Sequence, residues 1–263
     1  MGKKVFVGVD GCRAGWFAVF LEEEKDEREK ENDCKWEVAL FPEFSLLMDF
    51  LENNYTQAEP LVLIDIPVGL KNGGAGERLA DTEARKILKS RKSSIFPVPC
   101  REAVYAESYE KACEVNEKLT GKRISKQAWN IVPKIRDVDS FLVKNENYRE
   151  KVREVGPEIC FQAFEGSPMK FSKKKAEGFL ERKKALGRVC KSSGEIAACK
   201  IIEYSLSKYR RKDLAKDDVL DALVAALTAL MGNKYGFVYV PDKPEIDSMG
   251  LKMQMLYFSS NTD

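Results

Sequence analysis

The sequence predicts an α/β fold: a mixed five-stranded sheet with flanking helices and a helical insertion, within a single domain of 263 residues. Three observations lead there. Apolar runs over 3–10, 16–21 and 35–41 follow one another as hairpin-linked strands do. Residues 61–66 (LVLIDI) form a continuous apolar run of the kind buried at the centre of a sheet. From about 77 to 147 the pattern turns helical and polar, broken by Phe96-Pro97-Val98-Pro99.

Each element has a local reason. The first strand ends in Asp10 and enters a short Gly-rich turn, Gly11 to Gly15, before the second. Residues 22–33 carry eight acids and three bases, the composition of a solvated hairpin tip. Phe44, Leu47, Met48 and Leu51 recur at helical spacing after Pro42-Glu43. Pro67 stops the central strand, and 71–77 (KNGGAGE) read as a loop without the GK[ST] of a phosphate loop. Residues 152–161 read as a fifth strand bearing Glu158. Helices are expected over 173–191, 195–208 and 216–231, then a short strand over 237–240 and an ill-defined tail.

The chain has no histidine, which excludes Ser-His-Asp and Cys-His nucleophile pairs, imidazole zinc sites and histidine pH switches. Any acid–base or metal chemistry falls to carboxylates, Lys, Tyr, Cys or water. Seven widely spaced cysteines without CxxC read as reduced thiols of a cytoplasmic protein. The opening residues have no signal-peptide core, Phe6 does not suit myristoylation, and no apolar run approaches a membrane span.

The carboxylates concentrate the functional expectation. Asp10 and Asp65 lie at the ends of buried strands, where an ionised carboxylate is costly unless paired or bound to a cation. Asp218 and Asp221 are three apart on the late helix, and Asp217 and Asp221 are four apart, so either pair shares a face. Asp217 or Asp218 can equally serve as a helix cap, and Asp10 can serve the Gly-rich turn. Asp221 lies one turn inside an apolar helix, beyond the reach of capping. A strand Asp, a second strand Asp and a helix pair suit two-metal phosphoryl transfer, in which Mg²⁺ or Mn²⁺ ions activate water and stabilise the leaving oxygen.

The order strand–strand–strand–helix–strand, with these acids, resembles the ribonuclease H-like superfamily. The segment from Asp217 to Ala226 is similar to the last catalytic helix of its Holliday-junction resolvases. More closely, the chain resembles the family known as domain of unknown function 429, described as RNase H-like nucleases. The matching segments are Gly8-Val9-Asp10-Gly11-Cys12-Arg13-Ala14-Gly15-Trp16, Ile64-Asp65-Ile66-Pro67-Val68-Gly69-Leu70, Asp81 with Arg85, and Ser94-Ile95-Phe96-Pro97. They continue through Ile124-Ser125-Lys126-Gln127, Pro157-Glu158, Ser172-Lys173-Lys174 with Gly178 and Arg182, and the Asp218–Asp221 helix. The resemblance implies metal ligands at Asp10, Asp65, Asp218 and Asp221, with Glu158 a further catalytic candidate. Gly156 departs from the family, which often places His before the Pro-Glu pair.

Residues 170–213 carry fourteen bases against five acids, and 78–101 seven against two. Such basic stretches beside acidic metal ligands suit a nucleic-acid backbone, DNA or RNA. Arg85, Gln127, Lys173, Lys174 and Arg182 are the expected substrate contacts. Trp16, Trp36 and Trp129 are expected in the core or on a sheet face. Two other readings fit the same residues. One is a nucleic-acid-binding module that keeps the fold without the chemistry. The other is a nucleotide phosphate-binding, ATPase-like protein, since Gly8-Val9-Asp10-Gly11 resembles the first phosphate loop of sugar-kinase and actin-like ATPases.

Overall fold

The computed structural model describes residues 3–22, 34–74, 76–192 and 198–259. The acidic hairpin tip expected over 22–33 lies, beyond its first residue, outside the described residues. The fold is mixed α/β. Its strands are β1 (Lys3–Cys12), β2 (Gly15–Glu22), β3 (Lys35–Phe41), β4 (Ala58–Ile64), β5 (Val152–Val155), β6 (Val238–Ile246) and β7 (Lys252–Tyr257). Its helices are α1 (Phe44–Asn54), α2 (Leu79–Leu88), α3 (Arg101–Val104), α4 (Tyr109–Thr120), α5 (Lys126–Lys144), α6 (Pro157–Glu165), α7 (Ala176–Ser192), α8 (Ala198–Lys208) and α9 (Lys216–Tyr235). Among the described residues seven strands thus stand where the sequence predicts five. The chain divides into two compact units, Met1–Asp65 with Val155–Val238 and Tyr257–Asp263, and Ile66–Glu154 with Tyr239–Leu256.

In the first unit the strands run in the order β3-β2-β1-β4. β1 pairs antiparallel with β2, β2 antiparallel with β3, and β1 parallel with β4. β1 and β2 are apolar on both faces and almost wholly buried, which is why they read as continuous runs rather than alternations. Trp16 is fully buried and meets Phe44 edge-on at 5.8 Å between ring centroids. α9 is buried over most of its length, from Val219 to Gly232, so it lacks a polar stripe.

Gly8 explains how α9 lies against β1. A Cβ there would stand 2.0 Å from the Ala222 carbonyl oxygen and 2.1 Å from the Ala226 amide nitrogen. The helix backbone therefore sits directly on the strand, and the run of small residues Ala222, Ala225 and Ala226 leaves room for it.

The fifth strand expected over 152–161 is cut short: β5 ends at Val155 and α6 begins at Pro157. Proline at the first helical position has its fixed φ ready for the helix and loses no amide that the helix needs. Glu158 beside it favours the positive helix terminus, so it is a helix residue rather than a strand residue.

The second unit contains helices α2 to α5 together with most of β5 and β6 and nearly all of β7, all of which follow those helices in sequence. Ser108 caps α4 by accepting from the Lys111 amide at 3.1 Å, and Ser125 caps α5 by accepting from the Ala128 amide at 3.1 Å. Ala112, Cys113, Ile124 and Ala128 form an apolar cluster, against which Trp129 packs. Arg101 joins the insertion to the β6–β7 turn. It forks onto Asp139 at 2.7 and 3.0 Å and reaches Asp247 at 2.6 Å. No disulfide joins any of the seven cysteines. Among the described residues, no helix is long and apolar enough to cross a membrane.

Candidate metal centre

The parallel register of β1 and β4 brings the first two carboxylates together. Val9 pairs with Ile64, so Asp10 and Asp65 follow side by side, and the Asp65 amide donates to the Val9 carbonyl at 3.0 Å. Side chains alternate along a strand, so Asp10 shares the face on which Gly8 meets α9. Asp221 precedes Ala222 at that contact. One carboxylate oxygen each from Asp10, Asp65 and Asp221 lie within 4.8 Å of one another.

The electrostatics are unfavourable without a cation. Asp10 is only 7% exposed and Asp221 only 1%. Among the described residues, no donor hydrogen-bonds the Asp10 carboxylate. Burial raises its pKa well above the ordinary carboxylate value, and the charges of Asp65 and Asp221 raise it further. At this spacing each like-charge pair costs roughly 3 kcal/mol at an effective dielectric of about 20. Burial likewise raises Asp221, against the lowering effect of Lys173, whose ammonium is hydrogen-bonded to Asp221 Oδ2. The Asp221 charge in turn holds the Lys173 ammonium protonated. Asp10 and Asp221 are buried and Asp65 half-buried, and together they offer an oxygen-only donor set. That set suits a hard divalent cation such as Mg²⁺ or Mn²⁺.

Asp218 is placed differently. Its Oδ2 accepts from the Ala215 amide at 2.8 Å, which closes the N-terminus of α9. Burial pushes its pKa up to about 6, with Asp217 and Asp221 adding to the rise. Of the two helix acids, Asp221 joins the strand carboxylates and Asp218 stands one turn away as a cap.

Glu158 and Arg182 form a buried pair. Arg182 is 1% exposed, and its Nη2 donates to both Glu158 oxygens at 2.7 Å. Its Nη1 donates to the Phe171 and Gly178 carbonyls at 3.1 and 3.0 Å. Arg182 therefore positions the chain around Lys173 and presents no accessible donor to a substrate. Lys174 beside it is exposed. Arg85 and Gln127 belong to the second unit. There Arg85 is bound to Glu77 at 2.6 Å and to the Ile95 carbonyl at 3.1 Å, while Gln127 is exposed on α5.

The profile of a family described as a protein of unknown function, DUF429, matches residues 8–246. The chain belongs to this family. The matched DUF429 region includes the three clustered acids, Glu158, Lys173, Arg182 and Asp218. Gly156, where the resemblance leads one to expect His, opens α6, and its carbonyl accepts from the Ile159 and Cys160 amides at 2.9 and 3.1 Å. Comparisons with curated proteins and with solved structures return no match.

Two features of this DUF429 site were not anticipated from the residues. Lys173 bonds a metal-ligand candidate directly, a contact spanning 48 positions in sequence. Cys160 lies near Asp65 and Asp221, and burial pushes its thiol up to about 12.

Proposed function

We propose that this chain is a metal-dependent nuclease of ribonuclease H-like fold that hydrolyses nucleic-acid phosphodiesters. The observation that carries the reading is the meeting of Asp10, Asp65 and Asp221 within 4.8 Å, with Asp10 buried. The strand order β3-β2-β1-β4, with an acid at the adjacent ends of parallel β1 and β4, supports the fold assignment.

Asp10, Asp65 and Asp221 would hold Mg²⁺ or Mn²⁺. Such an ion polarises a phosphoryl oxygen and lowers the pKa of water. The chain's own residues do the rest. Asp10 and Asp65 are fixed in direction by the strand register, and Asp221 by the contact of α9 with Gly8. Lys173 brings positive charge to the phosphate. Asp218, which closes the N-terminus of α9 through the Ala215 amide, steadies the helix that presents Asp221. The basic stretch 170–213 supplies charge for the nucleic-acid backbone.

The test compares wild type and Asp10→Asn on end-labelled DNA and RNA with Mg²⁺ or Mn²⁺. The expected result is cleavage by wild type, and none by the variant or in excess chelator. Equal cleavage by both would refute the assignment of Asp10. Tight binding with no turnover at any metal concentration would favour a silent binding protein instead.

A further inference from the structure

The turn that carries Lys173 sets an open aromatic ring among lysines. It runs Lys170-Phe171-Ser172-Lys173-Lys174-Lys175 and contains no acid. Lys173 reaches the carboxylate cluster, where its ammonium is hydrogen-bonded to Asp221. Lys170, Lys174 and Lys175 are exposed, and so is Phe171, 45% of which is open to solvent. Other rings of this region are covered. Phe161 lies under the Arg182 guanidinium and Phe179 under the Lys216 ammonium, each 5.4 Å from the ring centroid.

The backbone of Phe171 is held on both sides. Glu181 accepts from the Lys170 and Phe171 amides at 2.8 and 3.1 Å, and Arg182 donates to the Phe171 carbonyl at 3.1 Å. Gly178 lies so close behind that a Cβ there would stand 2.0 Å from the Ser172 carbonyl oxygen. An apolar ring kept in water gains by being covered, and on a fixed backbone little further ordering is lost when a ligand covers it. α7 brings two acids close in sequence, Glu177 and Glu181, and the Glu181 oxygens are taken by these amides.

The occupant follows from this chemistry. Exposed lysines on both sides of a ring fit a phosphate backbone whose bases are free to stack. Phe171 and Lys173 are two residues apart, so their Cα atoms are at most about 7 Å from each other. A strand whose phosphate meets Lys173 therefore brings a neighbouring base within reach of the ring. In a duplex the base faces are already stacked on one another, so the ring takes a base only from an unpaired strand.

We propose that Phe171 is a stacking platform for an unpaired base, and that the site takes single-stranded nucleic acid. The proposal rests on the nuclease reading above and names its substrate class.

The experiment is fluorescence polarisation of the full chain in chelator, with labelled single-stranded and duplex oligonucleotides of one sequence, as DNA and as RNA. Wild type is expected to bind single strands of DNA, RNA or both at least tenfold more tightly than the duplexes. Phe171→Ala and Phe171→Leu are expected to lose about tenfold on single strands and nothing on duplexes, while Phe171→Tyr keeps wild-type affinity. Undiminished single-strand binding by Phe171→Ala, or equal binding of both forms by wild type, would overturn the proposal. So would the absence of binding to every oligonucleotide at low salt. Cleavage of the same oligonucleotides with Mn²⁺ is followed in parallel. Cleavage by wild type together with an unaffected Phe171→Ala overturns the stacking platform and leaves the nuclease reading standing. Ring-dependent binding without cleavage leaves the platform standing and removes that reading.

Discussion

Gly8→Ala is the smallest change that separates the site's carboxylates without touching them. The added methyl carbon would meet the Ala222 carbonyl oxygen at 2.0 Å and the Ala226 nitrogen at 2.1 Å, whereas real Cβ atoms essentially never come within 3.0 Å. The atoms in the way are helix backbone, so no side chain can swing aside. α9 must retreat by about 1 Å, and Asp221 moves with it away from Asp10 and Asp65. Both elements are buried, so the retreat also disturbs packing behind the helix. Overpacking costs of about 1–3 kcal/mol are typical, and a backbone-on-backbone clash belongs at the upper end. Urea denaturation should show a lower midpoint, and titration should show Mn²⁺ affinity reduced at least tenfold. The control is Gly187→Ala in α7, where a Cβ meets nothing within 4 Å. It should stabilise the chain by about 0.5–1 kcal/mol through helix propensity and leave metal affinity alone. A Gly8→Ala protein with wild-type stability and wild-type Mn²⁺ affinity would refute the placement of α9.

Other outcomes follow from the same contacts. Arg182→Ala leaves Glu158 buried without its cation and should cost about 3–5 kcal/mol in urea. Pairing it with Glu158→Gln should recover part of that loss in a double-mutant cycle. Asp247→Ala removes an acceptor from Arg101 and from the Leu70, Met249 and Leu251 amides. It should lower stability by about 2–4 kcal/mol. Asp218 has its folded pKa raised to about 6, above the roughly 3.9 of an unperturbed aspartate, so the folded state binds the extra proton. In chelator, stability should therefore fall as pH rises from about 4 to 6. Asp218→Asn, which keeps an acceptor for the Ala215 amide, should flatten that part of the slope in urea melts at stepped pH.

The first half of the α/β pattern was legible because each element there has a single strong signal. β1, β2 and β4 are continuous apolar runs, and α1 carries the expected buried stripe of Phe44, Leu47, Met48 and Leu51. The run 152–161 misleads because apolar character continues across a helix start, and only Pro157 marks the change. β7 was missed because Met253, Gln254, Met255 and Leu256 are all buried, so the alternation of a half-exposed strand is absent. Within the site, Asp10, Asp65 and Asp221 stood out as acids in apolar surroundings. Choosing Asp221 over Asp218 as their companion needed the contact at Gly8 and the Ala215 cap, which sequence spacing alone cannot supply. The partners Lys173–Asp221 and Arg182–Glu158 are 48 and 24 positions apart, so only the fold reveals them. Arg182 read as a phosphate contact because its charge is visible in sequence and its burial is not.

The central claim is that the clustered carboxylates of Asp10, Asp65 and Asp221 form a divalent-metal site. Crystals soaked in Mn²⁺ and measured at the manganese absorption edge test it most directly. The account predicts an anomalous peak within bonding distance of the Asp10, Asp65 and Asp221 oxygens, absent from Asp10→Asn crystals treated alike. Saturating Mn²⁺ that leaves the space between these carboxylates without anomalous signal would contradict it.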